Sequence, residues 1–182
     1  LKRALACLLL GAVVTAAAQN TNEPRIQGGK SDWEIEQERR NLTEGDVKLP
    51  AYPAAENLIE FFVSGSSSFR FFVDAASLAR GADGVIRYTM VARSASGVSN
   101  VSYEGIRCAT GSYKIYAYGN DGRWTARDSE WREIEPKSVQ RWHNELQKNY
   151  FCLNGSMILS TEEGLNALRR GGHPGTGVRV GF

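Results

Sequence analysis

The chain has 182 residues, with 22 Lys and Arg against 20 Asp and Glu, a formal net charge of +2, and three cysteines. That length supports one domain of common size with its own core. A charge so near balance gives no general electrostatic case for nucleic acid, whose binding domains normally show a basic excess clustered on one face.

The first segment, LKRALACLLLGAVVTAAAQN, sets Lys2 and Arg3 before an apolar run over residues 4–14, followed by Thr15 and three alanines. This is the layout of a secretory signal peptide, and Ala16 and Ala18 supply the small residues of a cleavage site before Gln19. The uncharged stretch 4–18 is 15 residues long, shorter than the roughly 20 apolar residues that cross a bilayer. No second apolar run follows, so the mature chain is expected to hold no transmembrane span. Cys7 sits near the start of the apolar run, whereas a lipid-modified cysteine would end it, and is read as part of the signal. With residues 1–18 removed, 164 residues remain, carrying 20 basic and 20 acidic side chains and two cysteines.

Two cysteines in an exported chain most simply form one disulfide, Cys108 to Cys152, because compartments outside the cytoplasm permit it. A metal site is the poorer reading, since His143 and His173 lack the paired spacing of a zinc finger, and a redox CxxC is absent. The glycines at 175, 177 and 181 have no helix after them to complete a phosphate loop, and SGSSS is not a nucleophile elbow. The expectation is therefore no metal and no cofactor.

Residues 19–48 read as a flexible acidic approach, since residues 19–60 hold nine acidic and five basic side chains. Pro50 and Pro53 in LPAYPAA mark the start of the folded unit, expected over 49–172, with 173–182 as a tail. NLIEFFV and FRFFVD, separated by SGSSS, have the aromatic and β-branched content of strands. Asp83-Gly84 then introduces VIRYTMVAR, where Ile86, Tyr88, Met90 and Ala92 share one face and Arg87, Thr89 and Arg93 the other. SASG leads into VSNVSYEGIRC, and SYKIYAYG closes on the hairpin signal Asn120-Asp121-Gly122. Consecutive strands with short turns predict an antiparallel meander of about five or six strands, one face buried and one partly wet.

The period then changes. Val139, Trp142, His143, Leu146 and Tyr150 fall at helical spacing, predicting a helix from about Pro136 through Tyr150. Ser160 and Glu163 fit a capping box for a shorter terminal helix that Gly171 and Gly172 would stop. The longer helix must cover the apolar face of the sheet, so the expected class is α+β. The tail VRVGF ends on Phe like the last strand of an outer-membrane barrel. Such barrels need at least about eight long strands, which this chain lacks, and the tail could still add as an edge strand to this domain or to another protein.

The most suggestive chemistry lies on the predicted wet face. Arg87, Arg93, Lys114, Tyr116 and Tyr118 fall there by alternation, with Tyr103 and Arg107 aligned on one side of their own strand. Cations interleaved with tyrosines hold anionic or sugar-bearing polymers, or proteins, through stacking and charge-assisted hydrogen bonds. The competing reading is an ordinary solvated face, with Arg over Tyr and paired to Glu104. Catalysis would need His143 beside a carboxylate, Glu104 or Asp74. A histidine packed at the sheet edge beside Trp142 is the simpler alternative.

Residues 69–108, FRFFVDAASLARGADGVIRYTMVARSASGVSNVSYEGIRC, together with LPAYP, Trp124, Trp131 and NYFC, resemble the CNP-one-like family of exported proteins of Gram-negative bacteria. The resemblance spans residues 49–152 and implies a periplasmic or envelope-associated protein; it carries over no catalytic residue. The expected function is a non-catalytic binding or accessory module for an envelope polymer or protein, the alternative being a hydrolase using His143. Intact-mass measurement of the mature protein is expected to place Gln19, or a near neighbour, at the N-terminus; a chain retaining residues 1–18 would overturn the signal-peptide reading.

Overall fold

Alternation and turn chemistry lay the chain out as a meander. Strands β1 (Leu58–Phe61), β2 (Phe69–Arg80), β3 (Val85–Ser94), β4 (Ser99–Arg107), β5 (Ser112–Asn120) and β6 (Arg123–Ala126) pair in that order, every neighbour antiparallel. A short β7 (Arg132–Glu133) pairs with the start of β5 and makes the sheet seven-stranded. The fold is α+β as expected, with more strands than the sequence suggests. The structure, a computed structural model, describes residues 31, 33, 34, 44–137 and 139–177. The predicted signal peptide, most of the predicted acidic segment and the VRVGF tail lie outside the described residues. By internal contacts the chain forms two units, Leu1–Gln37 and Glu38–Phe182, and the fold described here belongs to the second.

The hairpins follow their turn residues. Asp121 and Gly122 both take positive φ, 48° and 76°, the pair a type I′ turn requires between β5 and β6. β2 runs on past Asp74, where the expected strand ended, through a break in register before Ala79. Ser77 bridges that break: its hydroxyl donates to the Asp74 carbonyl at 2.8 Å and accepts the Thr89 N–H at 2.7 Å. A side-chain oxygen thus fills the gap that a bulge leaves in a ladder.

The predicted helix from Pro136 to Tyr150 is corrected. Pro136 and Lys137 form a turn, and α1 is Arg141–Glu145, continuing as a π-helical segment over Leu146–Phe151. Val139, counted into the helical stripe, is 98% exposed. The wider π turn brings Leu146, Tyr150 and Phe151 inward together, and all three are buried. A two-stranded ribbon follows, β8 (Cys152–Leu153) with β9 (Ser156–Met157). Helix α2 (Thr161–Arg169) begins as read: the Ser160 side chain accepts from the Glu163 N–H at 3.1 Å, while the Glu163 carboxylate accepts from the Leu159 N–H. Gly171 and Gly172 follow it with φ of 70° and 151°.

These helical segments cover one face of the sheet. Phe71, Val73, Ile86, Tyr88, Met90 and Ile106 from the strands meet Leu146, Tyr150, Phe151, Ala167 and Leu168 from the other layer. The opposite face is covered too. Tyr52 and Val47 pack with Trp124 over Phe72, Val91, Val101, Tyr103 and Tyr116. The face expected to be wet therefore carries a second, thinner layer contributed by the chain upstream of β1.

Cys108, just beyond β4, is bonded to Cys152 at the end of the π segment, with Cα atoms 5.4 Å apart. The bond ties the helical layer to the sheet and closes a loop of sequence separation 44. For such a loop the chain-entropy relation gives about 4 kcal/mol. Replacing both cysteines by Ala is expected to lower the thermal midpoint by on the order of 10 °C. Two titratable thiols in the native, non-reduced protein would contradict the bond.

Candidate functional site

Glu104 sits in the middle of β4, where a carboxylate has no exposure at all. Register places it on the helix-covered face, opposite Tyr88 of β3 and Ile115 of β5. Four side chains donate to it. Ser102 Oγ lies 2.6 Å from Oε1, while Tyr88 OH, Trp142 Nε1 and His143 Nε2 lie 3.1, 3.2 and 2.9 Å from Oε2. Burial alone would raise the Glu104 pKa, but His143 and the other donors outweigh it and hold the carboxyl below its ordinary value. Tyr88 is pushed the other way, first by burial and then by the Glu104 charge, so it stays protonated and donates.

The contact with Glu104 fixes the proton on His143 Nε2. The ring stacks on Tyr113 at 3.7 Å between centroids, and Nδ1 has no hydrogen-bond partner among the described residues. In a nucleophilic triad the base stands between carboxylate and hydroxyl. Here the carboxylate stands between hydroxyl and base, so His143 is not placed to take the Ser102 proton. Asp74, the other carboxylate considered for catalysis, pairs with Thr89 and lies on the opposite face, where burial raises its pKa. His173 is held outside this network, with Nε2 2.8 Å from Glu163 Oε1.

Beside the buried network the helical layer stops short, and a pocket of about 470 Å³ opens. Its walls are Phe69, Phe71, Met90, Ala92, Tyr118 and Trp142, and Ser102 and Glu104 lie at its inner end. The size falls in the range of small-ligand sites, and so does the mixture of apolar wall and few polar groups. Trp142 belongs to both features: its ring stacks on Phe71 at 5.8 Å while its N–H holds Glu104.

The predicted cation–tyrosine face divides. Arg87, Tyr103, Arg107, Lys114 and Tyr116 share the face opposite the pocket. Arg93 lies toward the other end of the sheet, over the Phe72 ring at 5.1 Å, with Nε 3.4 Å from Ser99 Oγ. Tyr118 lines the pocket instead. The cause is a bulge: Tyr103 pairs Ala117 but Glu104 pairs Ile115, so Tyr116 is the extra residue and alternation beyond it reverses. The partner imagined for the arginines, Glu104, is also on the wrong face. The counterions of Arg87 and Lys114 are Asp83, 3.1 Å from Arg87 Nη1, and Glu44, 2.9 Å from Lys114 Nζ and 3.5 Å from Arg87 Nη2.

Tyr116 donates to Glu44 and lies under the Arg87 guanidinium, 5.5 Å from its centroid. Gly105 makes room for it, since a Cβ there would sit 2.8 Å from the Tyr116 hydroxyl and 2.9 Å from Val85 Cγ1. Burial tends to raise the Asp83 pKa, but the Arg87 hydrogen bond and the Gly45 N–H bring it down to about 2. Arg107 stacks over Trp131 at 4.2 Å, its pKa lowered by burial.

The sequence singled out Arg87 and Lys114 but not the acids that hold them. Asp83 stood in view, in the turn four residues before Arg87. Glu44 had no signal, being 70 residues from Lys114 in a stretch without periodicity. Among the described residues, no group of three or more His, Cys, Asp or Glu is placed to hold a metal, and no helix is long and apolar enough to cross a membrane.

The whole defines an α+β domain, stapled by one disulfide, with a pocket at the end of a buried carboxylate network. The CNP1-like family matches residues 37–169, and the chain belongs to that family. It is 28% identical over 153 residues to Cryptic neisserial protein 1 of Neisseria gonorrhoeae (strain ATCC 700825 / FA 1090), covering 74% of this chain and 75% of that protein. No solved structure matches the chain.

Replacing His143 by Ala is expected to cost at least about 2 kcal/mol, since a hydrogen bond to a charged group contributes about 1.5–3 kcal/mol and a cavity adds to the loss. Denaturant titration measures it, and an unchanged midpoint would remove His143 from its structural role. The acid side has a definite sign. Glu104 and Asp83 have folded pKa values below their ordinary 4.5 and 3.8. Their stabilisation is therefore complete above those values and is lost as pH falls through the lower folded ones. The thermal midpoint should drop progressively below about pH 4.5.

Proposed function

We propose that the chain is an exported, periplasmic or envelope-associated module that binds rather than catalyses, taking an apolar or aromatic group of an envelope protein or polymer into its pocket. Export rests on the first 18 residues, which have the order of a signal peptide cut near Ala18. The folded module proposed to act after cleavage is residues 49–172, reached through the acidic segment 19–48. Similarity to a protein of a Gram-negative bacterium supports the compartment.

One observation carries the binding reading. The pocket has aromatic and aliphatic walls, and the single carboxylate at its inner end is already satisfied by four donors from the protein itself. Such a site rewards the burial of apolar surface at roughly 25 cal/mol per Å² and offers no ionised group free to act on a bond. The hydrolase reading draws on the 2.9 Å contact between His143 and Glu104, but His143 is 1% exposed and the order of the hydrogen bonds leaves it without a hydroxyl to activate.

The neutral fluorescent probe N-phenyl-1-naphthylamine tests the pocket. It should bind the mature protein saturably at one site per chain. Ala92→Phe, filling the pocket from the sheet, should weaken binding tenfold or more, and Tyr118→Ala, at the exposed rim, should weaken it less. Equal binding by the parent and a folded Ala92→Phe protein would remove the pocket from the function.

A further inference from the structure

Residues 44–50, Glu-Gly-Asp-Val-Lys-Leu-Pro, have no regular secondary structure, yet they are fastened to the sheet at four points. The Glu44 carboxylate takes hydrogen bonds from Lys114 Nζ at 2.9 Å and from the Tyr116 hydroxyl, with Arg87 Nη2 at 3.5 Å. The Gly45 N–H donates to Asp83 Oδ2 at 2.9 Å. Val47 packs on the cluster of Tyr103, Tyr116 and Ala117. The Pro50 carbonyl accepts from Trp124 Nε1 at 2.9 Å. Between these anchors Asp46, Lys48 and Leu49 are exposed. None of the fastenings is a ladder bond; all run through side chains of the sheet or of the turn between β2 and β3, one at a time. An acid, a backbone N–H, an apolar side chain and a carbonyl are read in turn, as a peptide is read by a docking surface.

The surface beneath is charged in the complementary sense. Arg87 and Lys114 face Asp83 and Glu44, so without Glu44 two cations would stand against one carboxylate in a partly buried site. Gly105 keeps the floor flat where Tyr116 crosses it. We propose that this face is a docking site for an extended acidic segment of a partner protein, and that residues 44–50 occupy it in cis as a built-in competitor. The site is on the face opposite the pocket and stands or falls independently of it. A tethered segment competes at an effective concentration of about the millimolar range, so an external segment gains the site when the tether's own acid is weakened.

The test uses the mature chain and a fluorescent peptide of its own residues 44–50, titrated at low ionic strength. Glu44→Gln should bind the peptide at least tenfold more tightly than the parent. Binding should fall with salt, and it should be lost when the peptide's own Glu is replaced by Gln or when Lys114→Ser is added to the protein. Equal or absent binding by parent and a cooperatively unfolding Glu44→Gln protein would overturn the proposal. If Glu44→Gln does not fold, hydrogen exchange of the Gly45 N–H in the parent decides. Millimolar peptide should accelerate that exchange, and an unchanged rate would show that the segment is a fixed part of the fold.

Discussion

The fold depends on keeping one carboxylate buried and ionised. Taking an ion out of water costs several kcal/mol, and that cost is offset only where hydrogen bonds replace the lost hydration. Glu104 has four, and their origin matters more than their number: one from β3, one from its own strand and two from successive residues of α1. Strand pairing would form without the carboxylate. The seating of α1 would not be defined, because a helix of five residues and one π segment offers an apolar stripe that several positions on the sheet could accept. Trp142 and His143 choose among those positions, and the disulfide at the far end of the segment holds the choice.

The same seating leaves the sheet covered unequally. On the helical side the layer ends beside Trp142, and the remainder of that face is the pocket. On the other side, among the described residues, an irregular run of chain from Glu44 to Tyr52 supplies the cover, with Trp124 folded back against Tyr52 at 5.3 Å and Tyr103 at 6.2 Å. Gly119 is the counterpart of Gly105 here, since a Cβ at that position would meet the Tyr52 ring at 2.8 Å. Two glycines in neighbouring strands thus admit two aromatic rings against the backbone of the sheet. β3 and β4 are consequently buried on both faces, a pattern more usual in sheets layered with helices on each side.

What the sequence shows, and what it hides, follows from range. Local chemistry is legible: Asp121-Gly122 makes its turn, Ser160 caps its helix, and the alternation of β3 gives its core face residue by residue. Cys108 and Cys152 pair as expected. The errors arise where one residue resets a pattern or a distant segment changes an environment. The bulge at Tyr116 moves Tyr118 to the other face, which no count along SYKIYAYG reveals. The π segment lets Tyr150 and Phe151 both point inward, whereas α spacing would separate them and draw in Val139. The cation–tyrosine face reads as wet because its cover lies in a stretch whose composition signals disorder. Glu104 was weighed as a surface partner for arginine, since a charged residue in an alternating strand is assigned to water by default.

Trp142 links the buried network to the pocket in a way that constrains any ligand. Its ring is a pocket wall and its N–H is one of the four donors to Glu104. A ligand that displaced the ring would remove a hydrogen bond from a fully buried charge, and leaving such a group short of a partner costs about 1–3 kcal/mol or more. The wall is therefore held in place by the electrostatics behind it, and only ligands that fit its present position avoid that cost. The network gains the chain little stability over an apolar core of the same volume. Its use lies in position: it turns a short helix on a broad sheet into a fixed edge, and so gives the pocket a definite shape.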